Sequence, residues 1–277
     1  MPILHAIVLG IVQGLSEFLP ISSSGHLLVV PWLFGWTELA DRPELNLTFD
    51  VALHIGTFVS LVAYFRTDLT LLASAALSSM RHRRIEGDEE RLVWLLVVAS
   101  LPAATVGLVL DSLLEDRNGG FVVVGAMLVL FGLVLLAADR LLGRKAIDDF
   151  SVRDALLMGT AQAVALQPGV SRSGATISMG RFLGFKRDAA ARISFLMSIP
   201  ITGGLGLYKI LQVFVLGDGI PPGFAAPFFW GTLASGVTGF FAVSALLRLI
   251  RTRSFLPFVV YRVFAGIFVI GLALARG

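Results

Sequence analysis

Two short polar runs interrupt an otherwise apolar chain: Pro20-Ile21-Ser22-Ser23-Ser24-Gly25 and Pro168-Gly169-Val170-Ser171-Arg172-Ser173-Gly174. Ser22–Ser24 precede a helix that should begin near Gly25, and Ser171–Ser173 precede one near Gly174. Serines in that place cap helix N-termini and leave free backbone N–H groups at the positive end of the helix dipole. Two such ends brought together make an anion site. Arg172 adds a fixed positive charge and a planar fork suited to phosphate oxygens. An uncompensated arginine at bilayer depth costs about 2.5–3.5 kcal/mol on insertion scales, and a bound phosphate compensates it. Serine-rich breaks also serve simply to cap helices and let them pack. The motif's occurrence twice, with an arginine at one tip, favours the anion site.

Gln13 and Glu17 are four residues apart, so they share one helix face just ahead of the first break. A carboxylate among Leu, Phe and Ile is expected to be functional. It could hold a divalent cation, act as a base, or form an ion pair with Arg172. His26 follows Ser23 by one turn, a spacing that permits a Ser–His nucleophile–base pair, although a lone histidine on an apolar helix is often only a core group. His54 lies one turn from Asp50, and either lines the cavity or marks its outer end. His5 and His82 are expected to be solvated, and Pro200 should kink its helix.

The elements that must carry these residues follow from hydropathy. Six apolar stretches, roughly 48–65, 92–110, 121–138, 190–214, 225–247 and 256–275, approach or exceed the length of about 20 residues that crosses a bilayer. Four others, roughly 3–19, 24–36, 152–166 and 173–185, are too short. A helix of about 13 residues is only roughly 20 Å long, so each short pair reads as a re-entrant hairpin turning within the membrane. Gly10, Gln13, Ile21, Ser22, Ser24 and Gly25 match Gly159, Gln162, Val170, Ser171, Ser173 and Gly174, all displaced by 149 residues. The expected fold is therefore an all-α polytopic membrane protein, one integral domain over 1–277. It is built from two repeats, about 1–145 and 146–277, each a hairpin plus three transmembrane helices. Three crossings are odd, so the repeats should be inverted, with a binding site near the midplane.

Loop charge offers an independent expectation. The 66–91 loop carries Arg66, Arg81, Arg83, Arg84 and Arg91, and 139–153 carries Arg140, Arg144, Lys145 and Arg153. Arg181, Lys186, Arg187 and Arg192 mark the far end of the second hairpin, and Arg248, Arg251 and Arg253 occupy 248–253. The 111–120 connection has only Arg117, 37–47 only Arg42, and 215–224 no basic residue. By the positive-inside rule the basic connections face the cytoplasm. Both termini then face outward.

Composition sets the outer bounds. Of 277 residues, 56% are hydrophobic and 15% charged, and the mean hydropathy is +0.85. Soluble domains average about 25% charged residues. A net charge of +3 does not call for nucleic acid, and the absence of cysteine excludes disulfides, thiolate nucleophiles and zinc–thiolate sites. Met1 to Gly10 lacks the basic region of a cleaved signal, so the first apolar stretch is expected to remain in the mature protein.

At these residues the sequence resembles the undecaprenyl-diphosphate phosphatase family, also called the bacitracin-resistance proteins. Gln13 to Pro20 resembles its Glu/Gln-x-x-x-Glu motif, Ser22-Ser23-Ser24-Gly25-His26 its serine–glycine–histidine segment, and Pro168 to Thr176 its second signature. The likeness extends from about residue 3 to the Pro257–Arg262 stretch. The resemblance implies a bacterial inner-membrane enzyme whose site faces outside, which the charge-based topology fits. It would hydrolyse a C55 polyprenyl diphosphate to the monophosphate and phosphate, recycling the carrier lipid of cell-wall synthesis. It implies Ser23 as nucleophile, with His26, Glu17 and Arg172 as its other catalytic residues. Gln13, Ser22, Ser24, Gly25, Ser171, Ser173, Gly174 and Thr176 would contact substrate. It also implies a divalent cation, Mg2+ or Ca2+, at Glu17 and Gln13. Many members have Glu where this chain has Gln13, so the ion should be held less tightly. Serine and water both remain open as the attacking group. Membrane lipid is the other expected partner, and a homodimer is left open.

A secondary transporter or lipid flippase with a midplane anion site is the rival class. Its symmetry would favour equal halves, whereas Glu17 corresponds to Leu166, His26 to Ala175 and Arg172 to Ser23. Lipid phosphatases with a Ser-Gly-His and a later Ser-Arg…His are a third class, but no histidine follows Arg172.

Overall fold

A computed structural model of the chain describes residues 1–39, 42–114, 120–217 and 219–276. The described residues form helices α1 (Ile3–Phe18), α2 (Ser23–Phe34), α3 (Pro43–Tyr64), α4 (Arg66–His82), α5 (Asp88–Leu114) and α6 (Gly120–Asp139). They continue with α7 (Val152–Val164), α8 (Arg172–Phe182), α9 (Arg187–Phe214), α10 (Ala225–Leu249) and α11 (Leu256–Arg276). A short 3-10 turn at Ile147–Asp149 precedes α7, and one isolated bridge pairs Lys145 with Phe185. Helices α3, α5, α6, α9, α10 and α11 are long and apolar enough to cross a membrane. They match the six expected stretches, and α1, α2, α7 and α8 match the four short ones.

One expectation is corrected. The 66–91 connection is not a plain loop, because it contains α4. No proline or glycine occurs between Arg66 and Gly87, and Leu72 is buried. Trp94 Nε1 in α5 donates to Ser79 Oγ at 2.9 Å and ties the two helices together. Hydropathy misses such a helix because its polar face dilutes the apolar signal. Arg117, in the 111–120 connection, lies outside the described residues.

The spanning helices leave large apolar side chains on the outside, among them Leu108, Phe241, Phe264 and Leu274, each at least two-thirds exposed. Lipid is the solvent that such a surface suits. Inside, a core around Phe18, Leu61, Met158, Ile177, Phe195 and Val243 joins helices from both halves of the chain.

Close approach of backbones stands in for much of the missing hydrophobic drive between helices. Helix α1 lies along α10, and α7 lies along α5. Gly10 and Gly159, 149 residues apart, are equivalent contact points. A Cβ on Gly10 would overlap the carbonyl oxygen of Gly231, and one on Gly159 would meet that of Ala99. Helices α6 and α11 touch at Gly125 and Gly266, where an added Cβ on either would come within 2.7 Å of the other's carbonyl oxygen. Between α3 and α10, Ser60 Oγ donates to Gly236 O at 2.5 Å and Ser235 Oγ to Leu53 O at 2.7 Å. These bonds satisfy hydroxyls that lipid could not.

Candidate active site at the two breaks

The first break begins where α1 stops. Leu19 is extended, Pro20 cannot continue the helix, and Ser22 takes φ 77° and ψ 94°. Its Oγ lies 3.4 Å from both the Gly25 N–H it accepts and Ser24 Oγ. The second break repeats this. Ser171 takes φ 74° and ψ 114°, and its Oγ lies 3.1 Å from Gly174 N and 3.2 Å from Ser173 Oγ. Positive φ at a non-glycine residue costs on the order of 1–3 kcal/mol and persists only where the surroundings over-determine it. The same strained serine occurs twice, at equivalent positions, opening α2 and α8 with their N-termini at the breaks.

Glu17 joins the two breaks. It is buried, and its Oε1 pairs with Arg172 Nη2 at 2.5 Å. Its Oε2 accepts the Ser23 hydroxyl at 2.6 Å and Gln13 Nε2 at 3.1 Å. Arg172 Nη1 donates to Thr202 Oγ1 at 2.7 Å, which brings in α9 two residues beyond Pro200. His54 Nε2 stands 3.7 Å from Glu17 Oε2, and its Nδ1 lies 2.8 Å from Asp50 O. The ion pair expected as one option for Glu17 is therefore formed, and His54 faces the site.

His26 is arranged differently from its sequence expectation. Nδ1 lies 2.6 Å from Ser22 O and Nε2 lies 2.6 Å from the Tyr261 hydroxyl, with the two rings stacked. The Ser23–His26 pair is not formed here, because the Ser23 hydroxyl goes to Glu17. One helical turn brings the two residues near each other, but the bond to the i−4 carbonyl turns the imidazole toward α11. Thr176 is fully buried, with Oγ1 on Arg172 O at 2.8 Å and on Ser194 Oγ at 2.6 Å. It braces the start of α8 from behind. His82 is exposed, as expected, but within α4; His5 is half-buried, stacked on Trp36 and bonded to Glu38 at 2.7 Å.

Arg262 was not among the expected site residues. It is fully buried in α11 and donates to Pro20 O at 3.0 Å, Gly169 O at 2.9 Å and Val170 O at 3.0 Å. It also donates to Met127 O at 3.3 Å and Leu128 O at 3.0 Å in α6. One guanidinium thus takes up carbonyls that both breaks leave without helical partners. Ser173 Oγ donates to Leu19 O at 3.2 Å and adds a further tie between the tips. The available signal was an arginine inside an apolar span, which by itself marks a polar interior. His54, Thr202 and Tyr261 gave a weaker signal, since each joins the site from a separate helix.

Glu17 and Arg172 neutralise each other, and Arg262 has no carboxylate partner among the described residues. Helix N-termini, the part-exposed Arg172 guanidinium and a hydroxyl bonded to a carboxylate are the parts needed to bind a phosphate and attack it. Gln13 Oε1 is buried with no hydrogen-bond partner among the described residues.

The family described as bacitracin resistance protein BacA matches residues 6–268. A relative from Pelobacter propionicus, named undecaprenyl-diphosphatase, is 46% identical over 269 residues, covering 96% of this chain and 95% of its own. A relative of the same name from Geobacter sulfurreducens is 45% identical over 278 residues and covers both chains completely. One from Thermomicrobium roseum, also so named, is 42% identical over 276 residues, 96% of each chain.

Proposed function

The chain belongs to the bacitracin resistance protein BacA family, and on that footing we propose that its two breaks form one phosphatase site. The activity is that of its relatives. As a multi-pass membrane enzyme it removes the terminal phosphate of undecaprenyl diphosphate. The transporter or flippase alternative is not favoured by these relatives.

The observation that carries the site assignment is the convergence on Glu17 of Ser23 from one break and Arg172 from the other. Ser23 Oγ attacks the terminal phosphorus, and its proton passes to Glu17 Oε2. The bond from phosphorus to the bridging oxygen breaks, and undecaprenyl phosphate leaves with that oxygen. Water then attacks the phosphoserine, phosphate departs, and Ser23 regains a proton. Arg172 and the first N–H groups of α2 and α8 hold the non-bridging oxygens, since phosphoryl transfer needs mainly positioning and charge stabilisation. Ser22, Ser24, Gly25, Ser171, Ser173 and Gly174 shape those helix starts, and Thr176 supports the second. His26, held by Tyr261, stands at the same helix start, one turn from Ser23. A water attacking directly is the competing scheme.

A divalent cation, Mg2+ or Ca2+, fits only in company with substrate. No cluster of three or more acidic or histidine ligands occurs among the described residues. The unpartnered Gln13 Oε1 beside Glu17 offers two oxygen donors, and ions of this class complete their shell with waters and substrate phosphates. When bound there, the cation would neutralise charge on the diphosphate.

We further infer that α1–α2 and α7–α8 are re-entrant hairpins of two inverted repeats, with both termini and the site on the periplasmic side of the inner membrane. The loop arginines support this, as does the reciprocal packing of α1 on α10 and α7 on α5. Self-association as a homodimer is compatible with the lipid-facing surface.

Phosphate release by purified protein tests the nucleophile. Ser23→Ala should lose nearly all turnover, at least 100-fold, while binding of undecaprenyl diphosphate stays within a few-fold. Near-normal release would assign the attack to water.

A further inference from the structure

A basic cavity lies at the end of α8 far from the breaks. Helix α8 begins at Arg172 and carries Arg181 nine residues later, roughly 13–14 Å along the axis at 1.5 Å per residue. There the ends of α6, α8 and α10 meet the starts of α9 and α11 around an open cavity of about 690 Å3. Arg140, Arg181, Lys186, Arg187 and Arg251 line it, against Asp139 and Asp188. Asp139 is already engaged, by Arg187 Nε at 2.5 Å and by the Phe255 N–H at 3.0 Å.

The remaining cations are under-used. Arg140, Lys186 and Arg251 form no ion pair among the described residues. Arg181 is 4% exposed and spends its terminal nitrogens on the carbonyls of Phe185 and Leu141. Its Nε is buried with no partner among the described residues. Lys186 caps the 28-residue α9 without a side-chain hydrogen bond, so the positive end of that helix dipole also lies at the cavity. The rim is apolar. Leu142 is 91% exposed, and Leu256 and Leu141 are 49% and 44% exposed.

Basic residues at helix ends by themselves only orient a membrane protein. That requirement does not call for cations from four separate segments to converge on one cavity, nor for leucines to rim it. We propose that this cavity binds the phosphate headgroup of an anionic phospholipid, whose acyl chains run over Leu142 and Leu256. Basic pockets between helix ends are suited to such headgroups. This site is distinct from the catalytic one and does not depend on how Ser23 works.

Native mass spectrometry of the protein released from bilayers of mixed phosphatidylglycerol and phosphatidylcholine tests it. Roughly 1 kcal/mol per Lys or Arg near an anionic surface corresponds to about fivefold per cation. The triple variant R140Q/K186Q/R251Q should therefore retain phosphatidylglycerol about 100-fold less well than the wild type. Phosphatidylcholine retention should be unchanged, and phosphate release in neutral detergent should stay within twofold. Should the triple variant not fold, the three single variants replace it, each expected to lose about fivefold. Equal phosphatidylglycerol retention by variant and wild type would overturn the proposal. So would a parallel loss of phosphatidylcholine, or full displacement of the lipid by millimolar inorganic phosphate.

Discussion

Two arginines serve the breaks, and their surroundings give them different tasks. Arg172 is part-exposed, paired with Glu17 and Thr202, and keeps further N–H groups for a ligand. Arg262 is sealed, and its acceptors are backbone carbonyls of three segments. Arg172→Lys should fold normally but lose at least tenfold in kcat/KM, because a compact ammonium cannot reproduce the planar fork. Arg262→Met should instead lower the melting temperature strongly, since each buried carbonyl left unsatisfied costs about 1–3 kcal/mol. Thermal melts and phosphate release on the same preparations separate the two. A folded, stable Arg262→Met variant would contradict the clamp. The cation belongs to this scale as well. Excess chelator should abolish hydrolysis, with Mg2+ or Ca2+ restoring it, and full activity in chelator would remove Gln13 and Glu17 from any metal role.

Much of this residue pattern was legible in the sequence. Gln13, Glu17 and Ser23 lie within one short segment, so helical spacing alone brings them near each other, and the repeated serines announced Arg172. The hydrogen-bond choice of His26 was not legible, because spacing fixes which residues are neighbours and not which way a ring turns. Arg262, His54 and Thr202 come from α11, α3 and α9, and their convergence is a property of packing that no local pattern encodes.

At the scale of the element, a hairpin is held by the helix it lies against. Gly159 lets α7 reach the backbone of α5, and any side chain there meets the Ala99 carbonyl and Pro102. Gly159→Leu should therefore destabilise the protein by about 1–3 kcal/mol, the usual range for overpacking. It should also lower turnover through displacement of Arg172, read by thermal melt and phosphate release together. Normal values for both would mean that α7 can shift without cost to the site. The positions of ten of the described helices followed hydropathy and the Pro–Ser breaks, although α3 and α5 begin four to five residues earlier than hydropathy suggested. Helix α4 did not, since Arg66, Asp68, Thr70 and the serines along it lower its mean hydropathy although Leu72 is packed inward.

The whole molecule is governed by orientation. If its halves are inverted, cysteines placed at Gly87 and Gly219 should be labelled by a membrane-impermeant reagent from opposite sides of intact cells, Gly219 from outside. Labelling of both from one side would defeat the inverted arrangement. The halves share the polar groups unequally, with Glu17 in one and Arg172 in the other.

That pairing also sets a schedule for synthesis. The two partners are 155 residues apart in the chain. At about 5–20 residues per second, the ribosome reaches Arg172 roughly 8 to 30 s after Glu17. Until then the carboxylate has no guanidinium to meet, and a lone charge at bilayer depth is unfavourable by roughly 2.5–3.5 kcal/mol. If the hairpins are re-entrant, as proposed, the first should linger near the headgroups and sink to its final depth only when the second arrives.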